Sequence, residues 1–318
     1  MRESHPANWV ILLTLALGTF ILGLTEFSMM PMLPLLSESL AITPSQSSYA
    51  ISAYAMGVVL GAPTLMLLCA NMRRRNALAL FVAMMCVFNG LSAFAQSIEQ
   101  LVIFRLLSGL PHGAYFGTAI LLAAQIAPSN QRASFMSKVF MGLTIATIVG
   151  VPLATLLGQQ MSWRYCLALV SIIALCTLFL VLWLLPNQAN TEKSTFLDEV
   201  AVLKNPLVWS VLGIVIIGFG GVFCIYTYIA DTILEVTHTP AITISIAMVM
   251  FGIGCTLGNY VLGKAADRST VITTGVALCA ATLFALAYVP ASHNIYALYG
   301  VIFCIGFSVG LGTVIQSL

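Results

Sequence analysis

The sequence predicts an all-α polytopic membrane protein folded as a helical bundle, and two observations carry that reading. Ten mainly apolar runs, each of the length a helix needs to cross about 30 Å of hydrocarbon, follow one another along the 318 residues. Almost every basic residue falls in every second gap between those runs, the asymmetry that sets orientation in a bilayer. Composition agrees: with 60% hydrophobic and 7% charged residues, too little polar surface is left for a water-soluble fold of this size.

The expected spans are Trp9–Leu33, Tyr49–Cys69, Ala77–Phe94, Leu101–Ala123, Phe135–Leu157, Cys166–Leu185, Val208–Ile229, Ile244–Leu262, Val271–Tyr288 and Ile295–Ile315. The first is too long for the roughly 7–15-residue apolar core of a signal sequence and has no small-residue cleavage pattern after it. Pro31 and Pro34 are expected to end it as a retained first span. Arg2, Arg73, Arg74, Arg75, Arg132, Lys138, Lys193, Lys204, Lys264 and Arg268 lie on one face of the membrane, and only Arg164 on the other. The N-terminus and the basic gaps are therefore expected on the cytoplasmic side. The net charge of +2 serves topology, and no basic cluster has the extent of a nucleic-acid surface. The eight cysteines all lie within or at the ends of spans, without a Cys-x-x-Cys pair or a histidine cluster. They read as small packing residues, and no disulfide, metal or cofactor is expected.

One long polar interval, 187–206, divides the chain. Residues 1–186 are expected to form a six-span bundle and 207–318 a second bundle of four spans. Within the interval, Thr195 and Asp198 read as a helix start. Phe196, Leu197, Val200 and Leu203 then recur at helical spacing, which predicts a short interfacial helix. The two parts look related: Gly57-x-x-x-Gly61 in span 2 is echoed by Gly254-x-x-x-Gly258 in span 8, each leading into a basic turn. The same small-residue motif at the same place in two halves points to a duplicated transporter architecture.

A charge inside hydrocarbon is expensive, so an ionisable residue within a span is a functional candidate. Glu26 and Arg105 stand out. Counted from Pro34 and from Ile98 at 1.5 Å per residue, both lie about 10–12 Å below the outer helix ends and are placed to pair. Two readings stay open: a proton-binding carboxylate next to a fixed cation, or a structural ion pair. His112, after Pro111, either relays protons or satisfies the Leu107 carbonyl that the proline leaves without an amide partner.

Several motifs in order give the chain a resemblance to a known family. Leu15-Ala-Leu-Gly-Thr19 through Thr25-Glu-Phe27, then Arg105-Leu-Leu-Ser-Gly-Leu-Pro-His-Gly-Ala-Tyr-Phe-Gly117, then Gly150-Val-Pro-Leu-Ala-Thr155 followed by Ser162-Trp-Arg164 resemble the major facilitator superfamily. The likeness is to its twelve-span drug:proton antiporters and their arabinose-efflux-permease-like branch. It implies a secondary active transporter, not an enzyme, in a bacterial inner membrane. It also implies proton-coupled efflux of a small organic solute, drug-like or sugar-like, by alternating access. Lipid, solute and protons are the implied partners. Arg105 matches the family's Arg-x-x-x-Gly element, with Ser108 where Gln is common. Gly150 and Pro152 match the antiporter motif that packs near the outer gate, with Ala154 where Gly is frequent. Gly263-Lys-Ala-Ala-Asp267-Arg268 keeps the family's gating-loop pattern, whereas Leu67 and Asn71 replace its Gly and Asp in the first half. Spans 1, 4, 7 and 10 face the cavity in that family, so Tyr226 and Tyr228 are either substrate contacts or aromatic anchors at the membrane interface.

The family has six spans per half, and four follow the central interval here. One alternative is therefore a truncated, non-transporting remnant, in which small residues such as Gly57 and Gly61 lie on surfaces that further helices would cover. Self-association is one way to cover such a gap. A remote alternative is an intramembrane enzyme. Its only support, the Gly-x-Ser-x-Gly pattern Gly306-Phe-Ser308-Val-Gly310, lies inside an apolar span rather than at a strand-to-helix turn, so helix packing is the better reading.

Overall fold

A computed structural model describes residues 8–128, 131–186, 205–266 and 269–309, which are helical throughout apart from short connections. Nine helices among the described residues are long and apolar enough to cross a membrane: Asn8–Leu40, Pro44–Leu68, Arg74–Ala93, Ile98–Ile126, Ser134–Gln160, Trp163–Leu184, Val208–Thr227, Ile242–Leu262 and Val271–Ala291. A shorter apolar helix, Ile295–Val309, follows. These are spans 1 to 10 in chain order. The helix predicted around Thr195–Leu203 lies outside the described residues, as do Asp267 and Arg268.

Two spans run further than the sequence predicts. Span 1 is helical over Asn8–Phe27, turns through a 3-10 segment at Met30–Met32, and resumes as Leu33–Leu40. Pro31 and Pro34 sit in the first turn of each new segment, where the missing amide has no intrahelical partner to lose. They bend the span and do not end it, so Glu26 lies deeper than a count to Pro34 implies. Span 7 also continues past its expected end through Ile229–Asp231 and a π-helical turn, Thr232–Val236, before reaching span 8. The polar residues Asp231, Thr232 and Glu235 hide that continuation from a hydropathy reading.

Lipid tails are as apolar as leucine, so membrane helices associate through close packing rather than a solvent-driven effect. Span 1 packs on spans 5 and 6, span 2 on span 4, and span 3 on spans 4 and 6. In the second part span 10 packs on spans 8 and 9, and span 9 on span 7. The parts meet where span 5 touches span 8 and where the far segments of spans 1 and 7 touch.

The glycine motifs set two of these crossings. A methyl group added at Gly57 would overlap the Leu106 carbonyl, and one at Gly61 would overlap Leu110; Gly109 approaches the Tyr54 carbonyl in return. In the second part Gly254 lies against the Phe303 carbonyl, Gly258 against Phe307, and Gly306 against the Phe251 carbonyl. Each partner in the second set lies the same number of residues further along the chain than its counterpart in the first. Gly57 and Gly61 are thus covered by span 4 and do not line an uncovered surface. Gly306 of the Gly-x-Ser-x-Gly pattern is a packing residue, and the Ser308 hydroxyl donates to the Cys304 carbonyl at 3.0 Å.

Candidate functional site

Four side chains from spans 1, 2 and 4 converge: Glu26, Tyr54, Arg105 and His112. Span 4 is two helices, Ile98–Gly109 and Pro111–Ile126. Pro111 cannot donate an amide hydrogen bond, so the helix re-initiates there and turns His112 toward span 2. The Tyr54 phenol and His112 Nδ1 are 2.7 Å apart, with the rings edge to face at 5.9 Å. The other imidazole nitrogen, Nε2, lies 3.9 Å from Glu26 Oε2.

Arg105 holds the other face of Tyr54. Its guanidinium carbon is 4.4 Å from the ring centroid, a cation–π contact in a dry setting. Its Nη2 donates to the Thr25 carbonyl at 3.1 Å and its Nε to the Ala50 carbonyl at 3.4 Å. The break in span 1 makes the first bond available: the Ser28 amide still bonds to Leu24, but the chain then turns into the 3-10 segment, and the Thr25 carbonyl takes a guanidinium in place of the next helical amide. Arg105 therefore ties span 4 to the backbones of spans 1 and 2. Its Nη1 has no hydrogen-bond partner among the described residues.

The direct Glu26–Arg105 pairing expected from depth is not made: among the described residues the carboxylate's ion-pair partner is His112. Equal depth says nothing of azimuth, and Arg105 turns toward the Thr25 and Ala50 carbonyls. Nor does His112 face the Leu107 carbonyl; its ring is engaged by Tyr54 and Glu26. The side chains differ in exposure. Arg105 is 0% exposed, whereas the Glu26 and His112 side chains keep 26% and 14% of their surface accessible. The Glu26–His112 pair is partly open and Arg105 is enclosed, and the guanidinium is a fixed charge that keeps its own proton.

Sequence reasoning missed Tyr54. Nothing in the span 2 pattern distinguishes it from an ordinary membrane aromatic, and its role depends on which face of span 2 meets span 4. The apolar counterparts in the repeat reinforce its importance. At the spacing that relates the glycine crossings, Tyr54, Arg105 and His112 correspond to Phe251, Ile302 and Val309, so the polar constellation belongs to one half only.

Tyr226 is buried and packs edge to face on Phe27 at 5.7 Å and against Phe251 at 4.4 Å, where span 7 meets span 1. Tyr228, in the turn that follows that helix, is 41% exposed. One of the pair thus faces the bundle interior and the other faces outward. Gly150 closes a π-helical turn, Ala146–Gly150, and packs on Phe20 and Leu24 of span 1; Pro152 follows at the start of Val151–Gln160. Gly263 falls within the helix Ile242–Ala266.

An all-helical membrane bundle with two glycine-locked crossings in repeat, and a charged constellation buried between helices, defines a transporter fold. The chain belongs to the Major Facilitator Superfamily, whose sequence pattern matches residues 15–318. It is 38% identical over 269 residues to "Inner membrane transport protein YdhP" of Escherichia coli K12, covering 85% of this chain and 68% of that protein. It is 28% identical over 250 residues to "Probable sugar efflux transporter" of Helicobacter pylori P12, covering 78% of this chain and 64% of that one. The chain thus spans about two thirds of the length of the curated relatives it matches. Its fold is similar to a crystal structure of a D-xylose–proton symporter, with a TM-score of 0.72 at 17% identity over 97% of this chain and 82% of that one. The chain is a multi-spanning transporter of small-molecule solutes.

Proposed function

We propose that the chain is a secondary active exporter that couples proton entry to exit of a small organic solute, drug-like or sugar-like, in a bacterial inner membrane. The N-terminus lies on the cytoplasmic side, and the bundles 1–186 and 207–318 rock against each other about the central interval 187–206. The observation that carries this reading is the accessible Glu26–His112 pair set beside a fully buried Arg105. A carboxylate and an imidazole 3.9 Å apart exchange a proton when water reaches either, and the fixed guanidinium biases the site toward a negative charge. Solute binding and protonation then compete for one cavity, which gives exchange without direct contact between the two. Tyr226 lines the solute path at the meeting of spans 1 and 7. Gly150, Pro152, Gly263, Asp267 and Arg268 act in gating, through the bend in span 5 and the loop after span 8.

Export is favoured over import by the Gly150-Val-Pro152 match to the antiporter motif, and the name of the H. pylori relative supports the same direction. The test is purified protein in vesicles under an imposed pH gradient, with a panel of radiolabelled sugars and lipophilic cations. An exporter shows solute movement that collapses with the gradient, and a solute-dependent proton flux of opposite direction. Solute flux indifferent to the gradient would overturn proton coupling.

A further inference from the structure

Among the described residues, the far ends of the two parts, opposite the N-terminus, share one hydrogen bond. Gln159 Nε2, in the last turn of span 5, donates to the Ala241 carbonyl at 2.8 Å. The acceptor belongs to a strap, residues 237–241, that joins the end of span 7 to span 8. The strap is fixed to its own part. Thr237 Oγ1 donates to the Ser292 carbonyl at the end of span 9 at 2.7 Å, and the Tyr299 phenol of span 10 donates to the Thr243 carbonyl at 3.3 Å. The Thr239 amide bonds back to the Ile233 carbonyl, and the Ala241 carbonyl also accepts from the Ile244 amide at 3.1 Å. Ala241 is therefore a held acceptor, not a loose loop carbonyl.

The donor is held as well. Gly158, next to Gln159, lies so close to Met32 that an added methyl would overlap its thioether, so the end of span 5 is seated on the bent segment of span 1. Near this level the other contact between the parts is apolar: the far segments of span 1 pack on Ile229–Asp231, and Met30, Leu33, Leu36, Ile229 and Ile233 are all buried. Apolar helix surfaces gain little by meeting each other rather than lipid, and they impose no exact register. The Gln159 bond does, because its amide reaches a fixed carbonyl in one arrangement of the two parts. One such bond changes a population by a factor of about five. That is enough to bias closure and weak enough to break in every cycle.

We propose that Gln159 is a latch, a positioning residue that holds the far ends of the two parts closed through the Ala241 carbonyl. The proposal rests on the reading that the parts rock against each other, and it gives Gln159 no contact with solute or proton. A side-chain amide suits the task. It always has N–H groups to donate, whereas an ionised carboxylate at this position could only accept and would face the carbonyl unfavourably.

The experiment places a reporter at Ile229→Cys, a position 1% exposed at the seam with span 1, in the purified full chain in detergent. A pyridyl disulfide, which modifies thiols in acid as well as neutral solution, is added, and modification at position 229 is read by peptide mass mapping. Each rate is divided by that of the reporter protein with Gln159 intact at the same pH. This cancels the reagent chemistry and any titration of Asp231, Glu235, His238 and His293 around the strap. Gln159→Leu should react about fivefold faster at both pH 8 and pH 4, the effect of one lost hydrogen bond. Gln159→Glu should be at least about fivefold faster at pH 8. At pH 4, where the carboxyl is largely protonated and can donate to the same carbonyl, the excess should fall to within about twofold. Gln159 is only partly buried, so both variants should fold. An unchanged rate in Gln159→Leu, or a Gln159→Glu excess that is equal at the two pH values, would overturn the latch. The measurement uses neither solute nor gradient, so its outcome and that of the proton-coupling test are independent.

Discussion

His112 Nε2 of span 4 lies 3.9 Å from Glu26 Oε2 of span 1, and this contact joins the in-span carboxylate singled out by the sequence to an imidazole. Through Nδ1 the same ring reaches Tyr54 at 2.7 Å, and the Tyr54 ring rests on Arg105. A change of protonation at Glu26 is therefore felt across three helices in two contacts.

Glu26→Gln is predicted to abolish pH-gradient-driven solute movement while leaving insertion and expression intact. The amide keeps the shape and removes the titrating group. Solute exchange at equal pH on both sides should persist, because it requires no net proton transfer. Undiminished gradient-driven flux in the variant would remove Glu26 from the mechanism.

Tyr54→Phe and Tyr54→Ala are predicted to separate the two jobs of that ring. Phenylalanine loses the hydrogen bond to His112 and keeps the face under Arg105, a loss of about 1 kcal/mol in stability. The pH profile of transport should shift, because the imidazole is no longer tied to a phenol. Alanine also removes the cation–π contact and leaves the buried guanidinium with only two carbonyls, so it should be several-fold more damaging to thermal stability. Similar losses in both variants would show that the ring face contributes nothing.

Arg105→Lys is predicted to rescue little of the damage of Arg105→Ala. The guanidinium reaches the Thr25 carbonyl, the Ala50 carbonyl and the Tyr54 face at once, and an ammonium on a flexible stem does not reproduce that fork. The structure also revises the expected coupling with Glu26. Because the two side chains belong to one network without forming an ion pair, a Glu26→Gln/Arg105→Ala cycle should show a smaller coupling than the Arg105–Tyr54 pair, which is in direct contact. Thermal melts of the single and double variants in detergent provide the measurement.

Gly57→Ala and Gly254→Ala are predicted to destabilise by similar amounts, about 1–3 kcal/mol each, since each methyl meets a backbone carbonyl of the facing helix that cannot move alone. Gly117→Ala is the control. Nothing lies within 4 Å of a methyl placed there, and the substitution should be neutral or slightly stabilising in a helix. Equal effects at all three positions would mean that the crossings are not set by these contacts.

Much of this was legible in the sequence because the bilayer enforces it. A segment that crosses hydrocarbon must satisfy its own backbone and present apolar side chains, so span number and class follow from run length. The repeated glycines were readable for the same reason: close helix approach needs small residues, and Gly57, Gly61, Gly254 and Gly258 occur at matched places. Hydropathy could not follow span 1 past Pro31 or span 7 past Asp231, because a proline at the start of a new helical segment and a polar residue in a continuing one look like ends. The depth of Glu26 and Arg105 was countable along the chain, but their azimuth was not. Only the packing of span 4 on span 2, with its restart at Pro111, decided that Glu26 meets His112 and that Arg105 turns to Tyr54 and two carbonyls. Rotation of one helix against another depends on side chains from distant parts of the chain, and no local pattern encodes it.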